Sequence, residues 1–201
     1  MRKAGSSGLW TLPAFVAIVL LISATRPGSA AVARQFDQPG PERFTAVAAN
    51  MGQVRGPMAS QVDIDIKRWS TDGQRDELTN ILRTRGEQAL LDALQKQPVV
   101  GTIRTPDSLA YDLHYAQVQP WGDGGQQIIL ATDRPIGFWE ARNDSRSLNY
   151  PFTIIEMRVN HDGKGQGTMS VATRVIPAGS QIVLEDYTSQ PMLLTEVTRE
   201  K

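Results

Sequence analysis

Apolar and polar residues alternate most regularly over 61–69, Gln-Val-Asp-Ile-Asp-Ile-Lys-Arg-Trp. Val62, Ile64 and Ile66 fall on one face, and Gln61, Asp63, Asp65 and Lys67 fall on the other. A period of two with a charged outer face predicts a half-buried strand. The apolar segment 43–51 predicts a strand before it, and the Gly- and Pro-bearing stretch 52–60 predicts the loop between them.

The period changes after Trp69. Thr71 with Gln74 three residues on reads as a capping box, and Asp72, Asp76 and Glu77 suit the positive end of a helix dipole. Leu78, Ile81 and Leu82 follow at helical spacing. Gly86 interrupts the run. Thr84 and Glu87 are expected to cap a second short helix carrying Ala89, Leu90, Ala93 and Leu94, which Pro98 stops. The expectation is a helical pair, or one kinked helix, over 72–97, with an apolar face that must cover something.

From Val99 onward the pattern is that of strands: 99–104, 109–119, 126–132, 136–142, 151–160, 167–176, 181–187 and 192–198. The connectors at 121–125, 160–165, 177–180 and 188–191 are short and turn-like. Links of that length force antiparallel neighbours, because a parallel crossover needs a dozen or more residues. At 126–132, Ile128 and Leu130 share one face while Ile129 and Ala131 share the other. At 151–160, Thr153, Ile155, Met157 and Val159 oppose Phe152 and Ile154. Strands apolar on both faces lie in the middle of layered structure. One face is expected to look into a curved sheet and the other to lie under the helices. By contrast, Ser170 and Arg174 suggest a solvated outer face for 167–176.

The fold class predicted is therefore mainly β (α+β). It is a curved or barrel-like antiparallel meander of about nine or ten strands, which tends to curl, with a helical pair inserted after the second strand. A two-layer sheet with helices on one face is the alternative.

Composition changes the picture at the N-terminus. Arg2 and Lys3 precede an uncharged apolar run from Leu9 to Ser23, followed by small residues ending in Ala31-Val32-Ala33. That is the layout of a secretory signal peptide, and the run is short for a spanning helix. The organisation read from this is a signal peptide at 1–33, a Pro-bearing linker at 34–42 and a single β-rich domain at 43–201 with its helical insertion. The expected location is periplasmic or secreted, with no membrane span after cleavage.

The formal charge of the whole chain is zero, and the leader holds Arg2, Lys3 and Arg26 but no acid. The remainder is thus net acidic, which gives no electrostatic case for nucleic acid. The chain has no Cys. Thiol nucleophiles, Fe–S clusters, Cys-based zinc sites and disulfides are excluded, and stability must come from burial and hydrogen bonding. Two histidines cannot build a His-rich metal site. No metal and no cofactor are called for.

The catalytic motifs are missing as well: there is no Walker loop, GxSxG or HExxH. The Gly-rich 122–125 lies between strands rather than at a helix N-terminus and reads as a hairpin turn. His161-Asp162 falls in a predicted hairpin tip, without the pocket that a catalytic imidazole needs. His114 shares a strand face with Asp112, a pairing that fits base catalysis or a polar outer face. Glu140 and Glu156 could form a carboxylate pair for acid–base work, although Arg158 offers Glu156 a simpler ion pair. Asn143-Asp144-Ser145 matches a glycosylation acceptor.

The segments at 99–116, 128–141 and 150–160 resemble an uncharacterised family of small exported bacterial proteins, a likeness extending over most of 60–187. The resemblance implies export and one compact domain and carries no activity. The functional expectation is a non-enzymatic exported module. It would hold an apolar or amphipathic small molecule in the mouth or interior of the curved sheet, since such sites are lined by aromatics with a few polar groups. The candidate lining is Tyr115, Trp121, Phe138, Trp139, Glu140 and Glu156. The alternatives are a cell-envelope protein-interaction module and a hydrolase or isomerase using acidic residues.

Overall fold

The computed structural model describes residues 39–50, 58–105, 109–122, 124–135, 149–179, 181–186 and 190–200. Two strands come first, β1 (Glu42–Asn50) and β2 (Met58–Ile66), paired antiparallel over their whole length. Two helices follow, α1 (Asp72–Arg85) and α2 (Glu87–Lys96). The remaining strands are β3 (Gly101–Arg104), β4 (Tyr111–Leu113), β5 (Tyr115–Trp121), β6 (Gly125–Thr132), β7 (Phe152–Val159), β8 (Lys164–Ala178), β9 (Gln181–Asp186) and β10 (Met192–Arg199). The expected strand at 136–142 and the Asn143 acceptor lie outside the described residues.

The sheet order is β4-β3-β2-β1-β10-β8-β7-β6-β5, with β9 paired to β8. Every pairing is antiparallel. The meander holds except at one point: β10 returns to lie between β1 and β8, pairing the last described strand with the first. The outermost strands of the path, β4 and β5, are separated in sequence by His114 alone. One bent segment therefore forms both edges, and the sheet is a nearly closed barrel.

The seam is closed by single bonds. His114 N–H donates to the Ala131 carbonyl at 3.0 Å, and Ser70 N–H donates to the Ala116 carbonyl at 2.6 Å. The Ser70 hydroxyl accepts from Ala116 N–H at 3.1 Å. The loop before α1 thus supplies the ladder bonds that the open edge of β5 lacks, which removes an exposed edge. Gly165 and Gly167 on β8 allow the tight wrap: a Cβ at either would strike the carbonyl of Arg158 or Glu156 on β7.

The alternation read from the sequence sorts the two faces. Phe44, Ile64, Ile66, Ile128, Leu130, Ile155 and Met157 point inward and are fully buried in one continuous core. The interior is filled by side chains, as in small barrels. Glu42, Gln126 and Arg199 share this inward register and meet across one end. The Arg199 guanidinium lies 5.5 Å from the Phe44 ring, 3.3 Å from Glu42 Oε2, and donates to Gln126 Oε1. The interior site expected from the sequence therefore has no room, because side chains fill the barrel and an ion pair plugs this end.

The helices lie on the outer face, as the two-faced strands β6 and β7 predict. Thr71 and Gln74 form the capping box of α1 reciprocally. α2 departs from expectation, because Gly86 is its N-cap and Thr84 donates instead to the Asn80 carbonyl. Glu87 has a longer reach. Its carboxylate accepts from Arg174 Nε at 3.0 Å and from Val175 N–H at 2.8 Å. It satisfies the edge of β8 beyond the end of β7 and ties the helical pair to the sheet. Ser170, expected on a solvated face, is 2% exposed, and it donates to Asp186 Oδ2 at 3.1 Å.

A candidate ligand cavity between the helices and the sheet

Amphipathic helices crossing a twisted sheet bury their leucines along a line of contact. Leu78 and Leu82 of α1 and Leu90 and Leu94 of α2 pack with Ala131, Phe152 and Val175. Ala131 is the small residue in this cluster, and the packing between helices and sheet is incomplete. The result is a cavity of about 150 Å³ lined by these side chains with Ile129, Ile154 and Ile182. Its polar lining comes from Arg75 and Thr79 of α1 and from Tyr115 and Gln117 of β5.

The polar groups are ordered among themselves. Tyr115 hydroxyl donates to Gln117 Oε1 at 2.7 Å. Burial pushes the Tyr115 phenol well above its ordinary range, with Arg75 opposing and Asp72 and Asp76 adding to the rise. Arg75 donates through Nη1 to Asp72 at 2.9 Å and through Nε and Nη2 to Asp76 at 3.0 and 2.9 Å.

The sequence-predicted lining separates into three groups. Tyr115 lines the cavity. Trp121 and Glu156 stand elsewhere on the outer face, in a row of polar side chains: Gln119 donates to Gln127, Gln127 to Glu156 at 2.8 Å, and Arg158 pairs with Glu156 at 2.7 Å. Arg158 also lies 4.2 Å from the Trp121 ring, and the two flank an open groove with Asn160 and Gln166. Glu156 is thus held in an ion pair. Phe138, Trp139 and Glu140 lie outside the described residues.

His114 finds other company than the sequence suggested, while His161 stands where the sequence placed it. His114 Nδ1 lies 2.9 Å from the Gln97 carbonyl at the end of α2 and Nε2 lies 3.8 Å from Asp133; Asp112 is exposed. His161 and Asp162 sit at an exposed turn, 3.2 Å apart. The cavity's leucines were missed as site residues because leucines at helical spacing read as core. The available signal was Ala131, a small residue facing a leucine-rich helical pair.

No family model, no curated protein and no solved structure matches this chain.

Proposed function

We propose that the chain is an exported binding module that holds the apolar part of a small molecule between the helical pair and the outer face of β5–β8. The supporting observation is the 150 Å³ apolar cavity, beside a barrel interior filled by its own side chains. An enclosed apolar cavity of this volume takes up a ring the size of benzene, which sets the size of the group that this pocket can hold. The pocket opens to solvent, so an apolar group that enters it gains by removing its own surface and the apolar wall from water, at about 25 cal/mol per Å². The volume matches roughly six to eight carbon atoms, so it fits the end of a chain or one ring rather than a whole larger ligand.

Native mass spectrometry of the protein purified from its exported fraction, with thermal unfolding across a series of short alcohols, tests this reading. A retained small-molecule mass or a saturable rise in melting temperature is expected. The same series with Ala131→Leu, which fills the gap, should show no rise. A bare mass with no saturable rise would overturn the reading.

A second reading, an envelope interaction module, is favoured by β9. Among the described residues β8 is its one strand partner, so a strand from another protein could be added there. Exchange protection of the β9 amides on adding an envelope extract would mark that mode.

A further inference from the structure

We infer that the cavity selects an uncharged ligand, a short apolar chain or ring ending in a neutral hydrogen-bond acceptor such as an alcohol, ester or ketone, and rejects free carboxylic acids. The inference rests on the reading of this cavity as a ligand site. Among the described residues lining it, Arg75 is the one that carries a charge, and a lone arginine over an apolar cavity would ordinarily draw a carboxylate. Here its charge is already matched twice over. All three guanidinium nitrogens are bonded, to Asp72 and Asp76. The trio carries a net negative charge toward an entering head group, and a carboxylate placed beside it would lose water without gaining a free cation.

What remains available is neutral. The Tyr115 hydroxyl is committed as a donor to Gln117 Oε1, and its buried phenol keeps its proton. Among the described residues the Gln117 amide nitrogen donates to no other group. Gln117 lines the cavity beside Tyr115 and Thr79, and its amide N–H groups suit an uncharged oxygen acceptor. Asp72 and Asp76 are largely exposed, at 79% and 71%. Each is already bonded to Arg75, so an entering cation meets no unpaired carboxylate, and neutrality rather than positive charge is the selected property.

Isothermal titration of the full chain with 1-hexanol and with hexanoate, at neutral pH, tests this. Saturable hexanol binding at least about tenfold tighter than hexanoate is expected. Affinity should rise about fourfold from pentanol to hexanol as a methylene is buried. Hexanoate binding as tightly as hexanol would overturn the inference and leave the cavity reading standing. Failure of both to bind would overturn the cavity reading and the inference with it. Asp76→Asn, at an exposed position, releases Nε and Nη2 of Arg75 from a charged partner. It should narrow the hexanol-to-hexanoate ratio at least threefold or so; an unchanged ratio would show that compensation of Arg75 does not set the selectivity.

Discussion

Replacing Arg199 by alanine tests whether the barrel end is sealed by charge. The Glu42 and Arg199 side chains are 11% and 27% exposed, with Nε 3.3 Å from Oε2. Losing one member of a fully buried pair costs about 3–5 kcal/mol, because the other charge is left without a partner. Arg199 retains some contact with water, which reduces that figure, while the loss of its contact with the Phe44 ring adds about 0.5–1 kcal/mol. The expected destabilisation is about 2–3 kcal/mol at neutral pH.

The deficit should depend on pH. Burial raises the Glu42 carboxyl above its ordinary value of 4.5, and Arg199 partly opposes the rise. The folded chain therefore holds this proton more tightly than the unfolded chain does. Its contribution to stability is complete below about pH 4.5 and is lost as pH climbs through the folded-state value. Without Arg199 the folded-state value moves higher still, so the deficit of Arg199→Ala should shrink as pH falls from neutral toward 4.5. Urea unfolding followed by tryptophan fluorescence at both pH values measures it. Trp69, 7% exposed in the barrel core, is a suitable reporter. A deficit under about 1 kcal/mol, or one equal at both pH values, would refute the reasoning. The double variant Glu42→Gln, Arg199→Met should recover most of the loss.

Other outcomes follow from single contacts. Glu87→Ala should cost about 1–3 kcal/mol, because Val175 N–H loses its acceptor; amide exchange at Val175 should quicken, and much less so in Glu87→Gln. Leu82→Ala, at a side chain 2% exposed in the cavity wall, should cost about 3–4 kcal/mol by chemical denaturation. It should also shift the preferred alcohol toward a longer or branched one, as read by titration. Gly165→Ala should abolish folding or cost more than about 3 kcal/mol by circular dichroism, since the added methyl meets the Arg158 carbonyl of the neighbouring strand.

The helical pair was legible because its signals are local. Thr71 and Gln74 cap α1 three residues apart, and Leu78, Leu82, Leu90 and Leu94 repeat at helical spacing. The strands were legible from alternation, and the two apolar faces of β6 and β7 foretold one face turned into the curved sheet and the other under the helices; that side chains fill the interior was not readable. Alternation names a strand but not its neighbour, so the return of β10 between β1 and β8 was not readable. Nor was the partner of Glu87, since Arg174 and Val175 are brought to it only by the tertiary fold.

Of the nominated lining residues that are described, only Tyr115 falls at the cavity. Tyr115 was nominated as an aromatic on a sheet, and it does line the cavity. Trp121 was nominated on the same ground and Glu156 as a carboxylate, but β5 and β7 carry them past the helices to the polar row. Their residue types suited a pocket; their register along the strand placed them outside it.

The proposed ligand site lies between the helices and the sheet. The most direct test is the set of intermolecular nuclear Overhauser contacts made by the terminal methyl of bound 1-hexanol. Contacts to the methyl groups of Leu82, Leu94 and Ile154 are predicted. Contacts to Ile128 and Leu130 inside the barrel, or no contacts at saturating hexanol, would contradict it.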